Sequence, residues 1–310
     1  MAIAREALLW ASKNEWIGRQ FSRRKFAKRA VRRFMPGERL DAALQAARKL
    51  ADSQVLSVLT LLGENIDGRA DAEAVTTEYL SILENVGELG IPCQISVKPT
   101  QLGMDLSRDL CHEQLKVLLE SAHRTNNFVW VDMESSEYVD STLELVLRAR
   151  ESNNNIGVCL QAYLYRTGAD LDRLLDGGTS VRLVKGAYRE PASVAFPRKN
   201  DVDENYLVLA RKMLDVSCKS DAIVSAFATH DIGLVEQIRK DAAVRELPSD
   251  RYEIQMLYGI AREPQLRLAE SGNRVRVLIS YGSAWFPWYM RRLAERPANV
   301  WFVVKSALAS

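Results

Sequence analysis

Apolar residues in this chain follow two alternating rhythms. Short runs rich in β-branched and apolar residues occur at 55–61, 94–97, 128–131, 157–160, 180–184, 223–228, 252–256 and 274–279. Each is short enough for a strand buried on both faces. Between them lie longer stretches with apolar residues three and four apart, which is the spacing of one helix face. The clearest are 71–86, 113–124, 136–150, 204–217, 234–243 and 263–270, and a further helix carrying Arg291 and Arg292 follows the eighth run.

Strands alternating with helices predict parallel strands joined by right-handed crossovers. Eight such units predict an α/β fold, a (βα)8 TIM-like barrel. Residues 1–50 also read as helical, with a break at Met35-Pro36-Gly37, and stand outside the repeat. The expected organisation is an N-terminal helical arm over 1–50 and a catalytic barrel over 51–310. An open doubly wound sheet is the alternative, but no G-x-G-x-x-G follows any of the runs, which weakens a dinucleotide-binding reading.

Composition narrows the classes. The 310 residues are 47% hydrophobic and 26% charged, with a net charge of +2, so nothing favours a nucleic-acid partner. Cys93, Cys111, Cys159 and Cys218 show no metal-ligand spacing and read as reduced, buried thiols, which suits a cytoplasmic protein. Three scattered histidines without an H-x-H or H-E-x-x-H pattern predict no metal site. No run of 18 apolar residues and no leader-like start are present. Charge is uneven in one place. Residues 1–35 hold ten Lys or Arg against two Glu. A basic amphipathic helix there suits weak contact with an anionic membrane surface, and a solvated face is the plainer reading.

In a (βα)8 barrel the chemistry sits at the C-terminal ends of the strands. The polar residues there are Glu64, Lys98, Asp132, Glu134, Gln161, Tyr163, Arg182, Lys185, Tyr188, Thr229, His230, Asp231 and Gln255. Arg182 is the informative exception, because it interrupts the apolar run Val181-Arg182-Leu183-Val184. A charge inside a barrel needs a partner, either a carboxylate such as Asp132 or a ligand. Lys185, followed by Gly186, suits either a phosphate contact or a Schiff base. The adjacent pair Arg291-Arg292, beside the aromatic stretch Trp285-Phe286-Pro287-Trp288-Tyr289, suits a clamp on a carboxylate, since each guanidinium can bind one bidentately.

These residues carry a resemblance. Val181-Arg182-Leu183-Val184-Lys185-Gly186-Ala187-Tyr188, Phe227-Ala228-Thr229-His230-Asp231 and Tyr281-Gly282 followed by Arg291-Arg292-Leu293-Ala294-Glu295-Arg296-Pro297 closely resemble the bacterial monofunctional proline dehydrogenases. Leu61-Leu62-Gly63-Glu64, Ser96-Val97-Lys98, Asp132-Met133-Glu134 and Gln161-Ala162-Tyr163 fit in the same order, so the resemblance covers residues 30–305.

The resemblance implies an FAD enzyme that oxidises L-proline to Δ1-pyrroline-5-carboxylate. It does so by hydride transfer to the flavin N5 and passes the electrons to a quinone. By position, Lys98, Arg291 and Arg292 would grip the substrate carboxylate, and Asp132 would lie near the bound imino acid. Arg182 would sit by the flavin N5, Gln161 near the ring, and Lys185, Gly186, Thr229 and His230 along the ribityl and phosphate groups. A pyrroline-5-carboxylate dehydrogenase is an implied partner.

Two positions depart from the family pattern. Leu278, four before Gly282, replaces the usual tyrosine against the substrate ring. Trp288 stands where an aromatic, commonly tyrosine, packs over the pocket. These changes leave open a hydroxyproline-like or pipecolate-like imino acid. From other classes, a Schiff-base lyase or aldolase using Lys185 or Lys98, and an inactive binding module, are the competing readings.

Overall fold

The computed structural model describes residues 31–64, 66–220 and 224–295, with 291–295 described by backbone alone. The basic run up to residue 30 therefore lies outside the described residues. Eight strands close into an all-parallel barrel in sequence order. They are β1 (Leu56–Leu61), β2 (Cys93–Val97), β3 (Val129–Val131), β4 (Ile156–Gln161), β5 (Ser180–Val184), β6 (Ser225–Ala228), β7 (Tyr252–Leu257) and β8 (Arg274–Tyr281). Closure comes from β8 pairing with β1, Leu56 opposite Arg276 through Leu61 opposite Tyr281.

Helices α1 (Leu40–Ala51), α2 (Arg69–Leu89), α3 (Arg108–Arg124), α4 (Val139–Arg150), α5 (Thr167–Asp176), α6 (Lys199–Ser217), α7 (Ile232–Val244), α8 (Arg262–Glu270) and α9 (Trp285–Glu295) complete the described chain. All eight expected strands form. The helix α5 has no counterpart among the stretches read from periodicity. Its inward face uses Thr167 and Asp170 beside Leu171 and Leu174, and Asp170 is neutralised by Arg166 at 2.7 Å. A polar pair in place of apolar residues hid the helical period.

Alternation divides the strand residues between two cores. The larger packs strands against the surrounding helices, with Leu59, Ile95, Val129, Val131, Val181, Leu183, Val275 and Val277 buried in it. Helix α1 joins this core through Ala43, Leu44, Ala46 and Ala47. A smaller cluster holds Val58, Trp130 and Ala226, with Phe128, Val224 and Leu278 against it. Its members come from strands that are not neighbours, so they meet only across the barrel axis.

A third cluster closes the barrel mouth on one side: Val31, Phe34, Met35, Leu62, Trp285, Phe286, Tyr289 and Met290. Here Gly259, with φ +74°, lets the backbone of Arg33 pass, since a Cβ at this position would lie 1.6 Å from the Arg33 carbonyl oxygen. The segment before α1 thereby rests on α9, and Trp285 Nε1 donates to Glu38 Oε1 at 3.1 Å.

Cys93, Cys111 and Cys159 are buried free thiols, but Cys218 is exposed. The expectation of four buried thiols fails there because Cys218 follows the last turn of α6 rather than facing a core. Among the described residues no helix is long and apolar enough to cross a membrane.

Candidate active site at the strand C-termini

The site is built around a buried cation. Arg182, in the middle of β5, is 2% exposed. Its Nη1 donates to Asp132 Oδ1 at 2.9 Å and to Ser96 Oγ at 2.8 Å. Ser96 Oγ also donates to Asp132 Oδ1 at 2.8 Å. Asp132 is fixed by its position just past β3, where its N–H donates to the Val97 carbonyl. The carboxylate partner expected from an arginine inside an apolar run is therefore Asp132. Two nitrogens of the same guanidinium, Nε and Nη2, have no hydrogen-bond partner among the described residues. Buried donors of this kind are rare and point to an acceptor that arrives with a ligand.

Lys98 follows β2 and turns toward β1, its Nζ donating to the carbonyls of Leu61 at 3.4 Å and Gly63 at 3.3 Å. It lines a cavity of about 250 Å³ with Leu62, Gly63, Glu64, Ala284, Pro287 and Trp288. The cavity offers a cation, a carboxylate and apolar walls within the size of a small amino acid. Trp288 sits on α9, where Pro287 is tolerated because it falls in the first turn. Arg291 and Arg292 are three and four residues further along that helix, and their side chains lie outside the described residues.

Glu134, two residues beyond Asp132, is nearly fully buried. It accepts from the Thr100 N–H at 3.0 Å and from Thr100 Oγ1 at 2.7 Å. Burial pushes its carboxyl up to about 7, against the pull of the Thr100 bonds and of Lys98, and nearby Glu64 adds to the rise. It ties β3 to the short helical turn that follows Lys98. Gln161, at the end of β4, donates from Nε2 to the Glu134 carbonyl at 3.0 Å. Its Oε1 is a further buried polar atom without a partner among the described residues.

The other flank lies after β5 and β6. Lys185 Nζ donates to Asp203 Oδ1 at 2.5 Å and to Asp231 Oδ2 at 3.0 Å. Burial alone would raise the Asp231 carboxyl, but Lys185, the Leu234 N–H and Lys199 together hold the group below its ordinary value. Gly186, at φ +116°, lies against the Tyr163 ring, which a Cβ would meet at 2.4 Å. The room that a glycine leaves there is taken by an aromatic ring of this chain. Thr229 Oγ1 accepts from the Asp231 N–H at 3.1 Å, and His230 Nε2 accepts from the Leu257 N–H at 3.2 Å. Leu278 is half-buried and packs on the Val58, Trp130 and Ala226 cluster.

Sequence reasoning missed several supports. Ser96 and Trp130 beneath Arg182 look like ordinary strand residues until the barrel closes. Tyr79 reaches in from α2, donating to the Ser96 carbonyl at 2.8 Å. Deeper in the barrel, Arg276 donates to both oxygens of Glu253 at 2.7 and 3.0 Å. Burial pushes Glu253 up, but Arg276, Arg274 and Gln255 together hold it below its ordinary value. Both residues stood in plain alternation with apolar neighbours, which was the available signal.

Known proteins resemble this chain in sequence and in fold. The sequence profile described as proline dehydrogenase matches residues 43–305. The chain is 35% identical to proline dehydrogenase 2 of Bacillus subtilis subsp. natto over 98% of both chains. It is 35% identical to the proline dehydrogenase of Deinococcus radiodurans over 89% of both. Among solved structures, proline utilization A from Bdellovibrio bacteriovorus, inactivated by N-propargylglycine, superposes with a TM-score of 0.80 at 22% identity. That match covers 93% of this chain and 38% of that one.

Proposed function

This chain belongs to the proline dehydrogenase family, and from that premise we propose that it oxidises L-proline to Δ1-pyrroline-5-carboxylate with FAD, passing the electrons on to a quinone. The observation that carries the reading is the set of buried, unanswered polar atoms on two neighbouring strands, Arg182 Nε and Nη2 within β5 and Gln161 Oε1 at the end of β4. A flavin ring has acceptors for the first and an N–H for the second, so the residues present fit the group.

When bound, FAD supplies the hydride acceptor, and the protein supplies position and electrostatics. Arg182 would place a positive charge by the ring, where it favours the electron-rich reduced form. Gln161 would hold the ring edge, and Lys185, Thr229 and His230 would flank the ribityl and phosphate groups beside Gly186. Lys185 is held between two carboxylates, and one of these contacts would yield to a phosphate.

Lys98, Arg291 and Arg292 would hold the substrate carboxylate, and Trp288 and Leu278 would wall the ring. Asp132 keeps Arg182 oriented beside the imino acid. The C–H bond next to nitrogen breaks with its electron pair, and the nitrogen lone pair, after loss of the N–H proton, closes the C=N bond. Fixing the carboxylate aims that C–H bond, which is where positioning accelerates the reaction.

Leu278 supports a second reading of the substrate, a hydroxyproline-like or pipecolate-like imino acid, because it offers an aliphatic surface where the family carries a phenol. A Schiff-base lyase has less support. Lys185 is tied to Asp203 and Asp231, and Lys98 to two carbonyls. In this reading residues 51–310 are the catalytic barrel and 1–50 its arm, whose last helix shares the barrel core. The basic start of that arm would give weak contact with an anionic membrane, on the cytoplasmic side. The product is a reactive cyclic imine, so a pyrroline-5-carboxylate dehydrogenase is the expected partner.

The test is turnover. Protein reconstituted with FAD should reduce a soluble quinone in the presence of L-proline and release a pyrroline trappable with an aromatic amino-aldehyde. Quinone reduction without trappable pyrroline would overturn the substrate assignment.

A further inference from the structure

We propose that Trp130 is a positioning residue for Arg182, its indole face fixing the plane in which the guanidinium meets the flavin; the inference rests on the FAD reading above. Arg182 is anchored to its carboxylate through one nitrogen only, since Asp132 and Ser96 both contact Nη1. A bidentate pair fixes the guanidinium plane by itself. A single anchored nitrogen leaves the rest of the group free to swing about that corner. What removes this freedom is the indole of Trp130, whose ring centroid lies 4.7 Å from Arg182 Cζ. A cation held over an indole is attracted by the ring's negative face, and more strongly where water is excluded.

The indole is itself locked. Trp130 is fully buried, and its Nε1 donates to Gln94 Oε1 at 2.8 Å. Phe128 packs obliquely on it, ring centroids 5.0 Å apart. On β4 the space is provided by Gly157, where a Cβ would lie 2.6 Å from Trp130 Cζ3 and 2.8 Å from Cε3. Val58 and Ala226 close the remaining sides across the axis. A wide residue on β3 opposite a glycine on β4 is an arrangement for seating one ring at one height. The ring holds the arginine with Nε and Nη2 unanswered among the described residues. Volume alone could be filled by aliphatic side chains from several strands, but these would give the guanidinium no face to lie on.

The experiment uses the full-length FAD-loaded protein and compares wild type with Trp130→Leu, Trp130→Phe and Gln94→Leu. The readouts are the equilibrium between bound flavin and a reference dye in an anaerobic titration, and kcat and KM for L-proline. A thermal melt confirms folding. Loss of the ring face should lower the reduced-to-oxidised flavin ratio at fixed dye poise by about tenfold in Trp130→Leu. It should also lower kcat, with KM changed less. Trp130→Phe keeps a face and should stay within about threefold of wild type. Gln94→Leu frees the indole and should fall between them. A folded Trp130→Leu protein with the wild-type ratio and kcat would overturn the proposal. If that variant does not fold, Gln94→Leu decides, and a wild-type ratio there overturns it equally. Wild-type protein that takes up no FAD would overturn the underlying reading instead, and is recognised before any variant is made.

Discussion

Arg182 and Asp132 join β5 to β3 over the intervening strand, the Nη1 to Oδ1 distance being 2.9 Å. Beside it on β4, Gly157 pairs with Trp130 and Cys159 with Arg182, and both are small. Arg182 is almost wholly buried and Asp132 only partly so, which sets how each responds to replacement. Removing the carboxylate leaves a buried guanidinium with Ser96 Oγ as its remaining acceptor among the described residues.

Asp132→Ala should therefore destabilise the protein by about 3 kcal/mol, the low end for breaking a buried pair, since water can reach the vacated side. Denaturant unfolding of the FAD-free proteins measures this. A midpoint equal to wild type would mean that the pair contributes nothing to the fold.

Arg291→Met and Arg292→Met should each raise KM for L-proline while leaving FAD affinity within about twofold. Losing one charge-assisted contact to a desolvated carboxylate costs about 2–5 kcal/mol. Steady-state kinetics with flavin binding measured by fluorescence separates the effects. An unchanged KM in both variants would remove the clamp from the account.

Leu278→Tyr should shift preference toward unsubstituted proline. Leu278 rests on Trp130, Val58 and Ala226, and a phenol there restores a flat wall at a position where one apolar change alters discrimination by about 1–3 kcal/mol. The quantity to compare is kcat/KM for proline against 4-hydroxyproline. An unaltered ratio would count against Leu278 as a specificity position.

Glu134 should make stability depend on pH. Its carboxyl sits near 7 in the fold and near 4.3 in an unfolded chain. The folded state binds the proton more tightly, so this group's contribution is most favourable below the unfolded value. It declines as pH rises from there through about 7, by about 4 kcal/mol in all. The neutral Glu134→Gln variant should lack this slope, so its melting temperature relative to wild type should rise between pH 5 and pH 8. A constant difference over that range would contradict the assignment. Lys98 and Glu64 act on the same carboxyl, so both belong in the interpretation of the profile.

The barrel was legible because eight strand-length apolar runs recur with helix-period stretches between most of them, and closure follows from the strand count. Arg182 was legible as a charge among apolar neighbours, and Asp132 as its partner at a nearby strand end. What supports them was not. Trp130 and Gly157 each look unremarkable in their own strands, and their fit appears only when β3 and β4 pair. Glu253 and Arg276 are 23 residues apart and meet only through the β7–β8 register. Lys185 read as a phosphate-binding or Schiff-base lysine because its partners, Asp203 in α6 and Asp231 at the cap of α7, are 18 and 46 residues away and meet it only in the fold. Helix α5 escaped because Thr167 and Asp170 stand on its buried face where apolar residues would mark a period.

The central claim is that L-proline reduces an FAD held by this barrel, and an anaerobic absorption spectrum of the purified, FAD-loaded protein tests it most directly. Flavin absorbance should bleach on addition of L-proline and return with a quinone. A flavin band untouched by proline, yet bleached by another cyclic imino acid, would contradict the assigned substrate. No flavin band after loading would contradict the account at its root.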